Sequence, residues 1–216
     1  MMLANQLRYR HLLITTQPRR YVNLFRTIYD RRCERIVEIG TWNGVHGEQM
    51  IRVAAARADV RAVRYVGFDL FENLSEEQLR QEFSKRPPSH DDVLRRLQGT
   101  GADVRLVRGN TRVTLPQTAD LLAEADFVFI DGGHSTETIR SDFNAVAGAV
   151  RPDTPIVLDD YYVDPGPELA GLGCQSLVDA LDRTRYEVRL LDPMDVFERE
   201  AGLLKIRMVL VQRKPA

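Results

Sequence analysis

The sequence predicts an α/β protein built on a doubly wound, mostly parallel sheet. Three observations carry this reading. Strand-like apolar runs alternate with helix-length segments through the first 160 residues. Several of those runs are apolar nearly throughout, as strands covered on both faces must be. The chain then closes on two strand-like runs with no helix-length segment between them, which predicts an antiparallel hairpin at a sheet edge.

Residues 1–33 are expected to form a helical segment ahead of the sheet. Within it PRRYVNLFRTIYDRRC (18–33) reads as a helix with Pro18 near its start, where a missing N–H costs little. The predicted parallel strands are RIVEIG (35–40), YVGFDLF (65–71), VRLVRG (104–109), DFVFID (126–131) and PIVLDD (155–160). Helical patterns lie at 44–58, 75–85, 90–98, 111–123 and 136–150, and right-handed crossovers place them on both faces. A Gly/Pro-rich loop (164–174) leads to a helix near 174–183 and to the closing strands YEVRLLD (186–192) and KIRMVLVQR (205–213).

Composition narrows the function. The 216 residues suit one domain, 1–216, able to bury a sizeable core. A net charge of −1 argues against a general nucleic-acid or anionic-membrane binder. The longest stretch without Asp, Glu, Lys or Arg is ten residues, about half of what a membrane helix needs. Arg8, Arg10 and His11 stand where a signal peptide would be apolar. Two cysteines, Cys33 and Cys174, form no C-x-x-C pair and fit a reducing, cytoplasmic setting.

The first strand ends in Glu38-Ile39-Gly40-Thr41-Trp42-Asn43-Gly44-Val45-His46-Gly47. A glycine-rich turn from strand to helix lets backbone approach a ligand and aims helix N–H groups at it. The second strand carries Asp69, a hydrogen-bond acceptor suited to ribose hydroxyls. Dinucleotides and S-adenosylmethionine both use this plan. The spacing Gly40-x3-Gly44-x2-Gly47 lacks the tight first pair of the dinucleotide fingerprint. Glu38 inside the strand would sit badly near a pyrophosphate and well near an amino group and a sulfonium, so S-adenosylmethionine is preferred. The plainer reading is that these glycines only shape a turn.

A second cluster is acidic. Asp131 ends the fourth strand, and Asp159-Asp160 end the fifth, one helix crossover later. Ligands of open α/β sheets bind at such carboxyl ends, and adjacent strands about 4.8 Å apart let the carboxylates converge. Three uncompensated carboxylates repel. A divalent cation, Mg2+ before Mn2+ or Ca2+, would relieve them through all-oxygen ligation. Otherwise Asp131 bonds the cofactor loop, Asp159 caps a turn and Asp160 faces solvent. His134, after Asp131-Gly132-Gly133, can overhang the same crevice as a general base, or simply pack before its helix. His46 is expected on a helix surface rather than lining the cofactor loop, the other reading open to it.

These residues resemble a family. EIGTWNG, GFDLFE, RGNTRVTLP, FIDGGHS and LDDYY, in this order and spacing, resemble class I S-adenosylmethionine-dependent methyltransferases. More narrowly they resemble the metal-dependent sugar O-methyltransferases of the macrocin O-methyltransferase type, methyltransferase family 24. The resemblance spans roughly residues 30–213. It implies a Rossmann-like seven-stranded sheet of order 3-2-1-4-5-7-6 with strand seven antiparallel. It also implies cofactor contacts at Glu38, Gly40, Thr41, Gly44 and Asp131, the ribose at Asp69, and the adenine near Gly109, Asn110 and Thr111. Asp131, Asp159 and Asp160 match the family's metal ligands, and His134 its proposed base. Such enzymes are often longer, and the family also includes members named as cephalosporin hydroxylases, so the fold does not settle the reaction.

The expected activity is therefore methyl transfer from S-adenosylmethionine to a hydroxyl of a small molecule, first of all a sugar or glycosylated metabolite, with Mg2+ and His134 activating the oxygen. The rivals are a catechol-like O-methyltransferase, an inactive cofactor-binding partner subunit and an NAD(P) enzyme. Specificity would lie in 72–90, which reads either as a lid or as a solvated helix and Pro-Pro turn, and in 163–173. Homo-oligomerisation is left open.

Overall fold

A computed structural model describes residues 2–81, 86–199 and 202–215. In chain order the elements are α1 (Met2–Thr15), α2 (Val22–Arg31), β1 (Arg35–Ile39), α3 (Val45–Ala54), β2 (Arg64–Asp69), α4 (Glu76–Gln81), α5 (His90–Gln98), β3 (Asp103–Arg108), α6 (Thr111–Gln117), α7 (Ala119–Ala123), β4 (Phe127–Ile130), α8 (Thr136–Ala149), β5 (Ile156–Val163), α9 (Gln175–Ala180), β6 (Tyr186–Leu190), β7 (Asp195–Arg199) and β8 (Gly202–Arg213). The strands form one sheet in the order β3-β2-β1-β4-β5-β8-β6, with β7 also paired to β8. The first five are parallel, and β8 runs antiparallel to both β5 and β6. This is the predicted order with one strand added.

The added strand is β7. The sequence predicts one hairpin, whereas β6 and β7 lie one after the other along the same side of the twelve-residue β8. DVFER is short and mostly exposed, so no alternation marks it. The connection at 200–201 lies outside the described residues. The predicted helix 111–123 is also two helices. Pro116 removes an N–H inside α6, and Thr118 leaves helical dihedrals with φ at −125°.

Strand alternation divides the core into two layers. Ile36, Phe127, Phe129 and Val157 face the layer of Leu24, Phe25, Ile28, Met50 and Ile51 from α2 and α3. Val37, Ile39, Val128, Ile130, Ile156 and Leu158 face Leu115, Leu122, Ile139, Phe143 and Val146 on the opposite side. Each such fully buried side chain contributes about 1.5–3 kcal/mol. The same period of two puts Glu38, Asp131 and Asp159 on the α2 side of the sheet, in line with Ile36, Phe129 and Val157. Ahead of this layer α1 rests on its neighbours through Tyr9 stacked on Tyr29, with ring centroids 3.9 Å apart. Among the described residues no helix is long and apolar enough to cross a membrane.

Candidate active site

The carboxyl ends of β1, β2 and β3 are tied together by backbone. Gly40 N–H donates to Phe68 O (2.9 Å), and Gly109 N–H donates to Asp69 O (2.9 Å). Gly40 has φ +91°, and a Cβ there would come within 2.0 Å of the Asp131 carbonyl oxygen. This glycine therefore lets the β1 and β4 turns touch, a reason that the ligand-approach argument did not supply. Gly44, with φ +72°, precedes the first turn of α3. Thr41 is buried between them.

Asp69 is half-buried at the mouth of this edge. Its carboxylate accepts the backbone N–H groups of Trp42 (2.7 Å) and Phe71 (2.8 Å), which fix its direction. Burial raises its pKa, against the pull of those N–H groups. The half-exposed Trp42 ring donates its N–H to Arg86 O (3.4 Å), and Asn110 opens α6 by accepting the Arg112 N–H (3.0 Å). A carboxylate held at the mouth beside a strand-to-helix turn is an acceptor that fits the hydroxyls of a nucleoside's ribose.

Glu38 lies beneath the loop. It is 1% exposed and accepts the Tyr65 hydroxyl. Burial pushes it up to about 8, Asp69 adds to the rise, and the Tyr65 bond opposes it. A carboxyl sealed in this way shapes the loop through Tyr65. Gly47 completes the arrangement, since a Cβ there would lie 2.6 Å from the Tyr65 hydroxyl.

The acidic cluster on β4 and β5 holds a residue that sequence reasoning missed. Arg20, 7% exposed, reaches from the N-terminal segment into the strand ends. Its Nε and Nη2 donate to Asp159 Oδ1 (2.7 Å) and Oδ2 (2.9 Å), a two-point fork. Its Nη1 donates to Asp195 Oδ2 (3.2 Å) at the start of β7. Asp195 also accepts the backbone N–H groups of Arg19 (2.6 Å) and Arg20 (2.9 Å). Next in sequence, Tyr21 donates its hydroxyl to Asp131 Oδ2 (3.0 Å) and stacks on His46 at 3.9 Å. His46 is thus not the surface residue expected. Burial lowers its pKa to about 4, with Arg20 also lowering and Asp159 raising it.

Asp159 and Asp160 would face opposite sides of a regular strand. A bulge changes this. Leu158 pairs Val209 while Tyr161 pairs Arg207, so β5 carries one extra residue. Asp160 takes it up in the left-handed region, φ 57°. Asp160 then meets His134, with Nε2 3.3 Å from Oδ2. Burial and Asp159 raise Asp160 to about 6, while His134 opposes the rise. Burial, then Asp159 and Asp160, hold Asp131 well above the usual carboxylate range.

The structure thus brings Asp131, Asp159, Asp160 and His134 to one place, but not as a metal triad. Both Asp159 oxygens are engaged by Arg20, and one Asp131 oxygen takes the Tyr21 hydroxyl. Among the described residues no group of three His, Cys, Asp or Glu is arranged to hold a metal ion. The residues expected to hold Mg2+ do not fit it in this arrangement, because a fixed guanidinium already neutralises the central carboxylate. Arg20 gave no signal in the sequence, where it is one of six arginines in residues 18–35.

A doubly wound sheet with polar and charged groups along the carboxyl edge of its parallel strands is of the class that binds ligands at that edge. Residues 37–161, more than half of the chain, match the family model of a methyltransferase domain, methyltransferase family 24, and the chain belongs to that family. No curated protein matches it significantly. Solved structures do. Cofactor-bound Rv0187 from MTB is 17% identical, with a TM-score of 0.61 over 98% of this chain and 88% of that one. The O-methyltransferase TomG from Streptomyces achromogenes, in complex with SAM, is 18% identical, with a TM-score of 0.58 over 98% and 89%. The O-methyltransferase from Bacillus cereus, in complex with SAH, is 18% identical, with a TM-score of 0.56 over 98% and 90%. At these identities the likeness is one of fold.

Proposed function

We propose that this protein transfers the methyl group of S-adenosylmethionine to a hydroxyl of a small molecule. The observation that carries the reading is one strand edge bearing two kinds of group. On β1 to β3 it holds a fixed carboxylate, Asp69, beside a strand-to-helix turn. On β4 and β5 it holds an imidazole–carboxylate pair, His134 and Asp160. S-adenosylmethionine supplies, when bound, a methyl group already activated on a sulfonium centre.

The chain's own task is then to hold the acceptor and take its proton. Asp69 would hold the ribose hydroxyls, and the turns at 40–44 and 109–111 would enclose the rest of the cofactor. His134 would accept the hydroxyl proton. Asp160 would orient the imidazole and stabilise the imidazolium that forms. Tyr21, its ring edge-on to the core residue Phe129, bonds Asp131 on the α2 side of the sheet. The polar pair of His134 and Asp160 supports a sugar or glycosylated acceptor, whose several hydroxyls need hydrogen-bond partners. Beyond the end of this edge, a cleft of about 150 Å³ between residues 163–169 and 202–205 is too small to house a drug-sized ligand by itself. Of the segment 72–90, residues 82–85 lie outside the described residues, and on its flanks His90 N–H donates to Glu72 (2.8 Å).

Calorimetry tests the reading. S-adenosylhomocysteine should bind with one-to-one stoichiometry and NAD should not. The reverse result would overturn it. Release of S-adenosylhomocysteine in a screen of sugars, glycosides and catechols would then identify the acceptor class.

A further inference from the structure

We propose that Arg20 is the resident cation of this site: its guanidinium occupies the place a divalent metal would take among the strand-end carboxylates, and the site binds no divalent cation. The inference rests on the reading above only in treating the crevice as the acceptor side. The question of the cation itself stands on geometry.

Three features make the arrangement a built one. The guanidinium meets Asp159 edge to edge, at 2.7 and 2.9 Å, which engages both oxygens of the carboxylate that is central in the cluster. Arginine cannot give up its charge, so Asp159 is compensated at every working pH. Asp195 then locks the arginine from behind, bonding its Nη1 at 3.2 Å and the N–H groups of residues 19 and 20 at 2.9 Å or less. For the side chain to leave, a pair with side-chain exposures of 9% and 1% would have to break inside the fold. Removing one partner of such a buried pair is strongly unfavourable. The adjacent Tyr21 hydroxyl engages Asp131 in the same way, at 3.0 Å. One dipeptide, Arg20-Tyr21, thereby engages two of the three carboxylates that a metal would need.

The consequence is that Arg20 is a positioning residue: it holds Asp159 and, through the N-terminal segment, the wall of the crevice. The test uses Mn2+ alone as probe, read by electron paramagnetic resonance on the full chain with S-adenosylhomocysteine present and absent. The native protein should hold no bound Mn2+ at millimolar concentration, and its melting temperature should be unchanged by excess chelator. Arg20→Met should free Asp159 and raise Mn2+ affinity at least tenfold. Stoichiometric Mn2+ on the native protein at micromolar concentration would overturn the proposal. So would a folded Arg20→Met chain that gains no Mn2+. If Arg20→Met does not fold, the native measurement still decides. Loss of S-adenosylhomocysteine binding would count against the functional reading and leave the Mn2+ result standing.

Discussion

On β1 to β3 the candidate cofactor pocket is assembled from near neighbours, whereas on β4 and β5 the acceptor crevice is assembled from residues far apart. Asp69 orients itself on Phe71, two residues on, and on Trp42, 27 residues back across one β-α-β unit. The crevice depends on Tyr21–Asp131, Arg20–Asp159 and Arg20–Asp195, separated by 110, 139 and 175 positions. The first pocket is a property of a supersecondary unit and rests on backbone groups. The second is a property of the whole fold and rests on buried charge. The two should therefore respond differently to substitution.

The largest effect belongs to the crevice. His134→Ala is expected to lower kcat by about 10²–10⁴ while S-adenosylhomocysteine affinity stays within a few-fold. Steady-state rates with calorimetry on the same preparation check this, and a near-native kcat would move the base to another group. Next comes the lock behind Arg20. Asp195→Ala removes the acceptor of two N–H groups and one guanidinium contact, and should cost about 2–4 kcal/mol in urea unfolding. Since Asp195 lies far from Asp69 along the edge, cofactor affinity should follow stability only through folding. An equal loss in both would show that the two pockets are coupled.

On the other side, Asp69→Ala should weaken S-adenosylhomocysteine by about ten- to a hundredfold, the range for hydrogen bonds to a charged group, while changing the midpoint of unfolding little. A large stability loss would mean that Asp69 serves chiefly to hold Trp42 and Phe71. The smallest effect is a pH slope. His46 is packed against Tyr21 and faced by Asp159 and Arg20, and it titrates near 4 in the fold against about 6.5 unfolded. Between those values the unfolded chain binds more protons, so stability from this group is full above about pH 6.5 and is lost as pH falls towards 4. The slope should vanish in His46→Phe. Glu38 and Asp160, both raised, slope the other way, so the difference between the two proteins is the quantity to read.

The sheet was legible because burial on both faces writes itself into each strand as a short apolar run. RIVEI and FVFI need no partner to be recognised. β7 was not legible, since its role is to present Asp195 to the N-terminal segment rather than to fill a core. The bulge at Asp160 was hidden for a related reason: Leu-Asp-Asp-Tyr reads as a continuous strand, and only pairing with β8 reveals the extra residue.

The strand order was an implication of the family resemblance, whereas the sequence by itself determined the class of fold and which strand ends and turns carry Gly40, Asp69, Asp131, Asp159, Asp160 and His134. Periodicity and turn chemistry act over a few residues, and those features are local. What the tertiary structure decided is how the charges are matched. Glu38 is paired to Tyr65 beneath the loop, and a bulge in β5 brings Asp160 against His134. Asp159 is neutralised by an arginine 139 positions away. Charge compensation in a buried site is set by whichever group the fold brings within hydrogen-bonding distance, and that distance is not written in sequence separation.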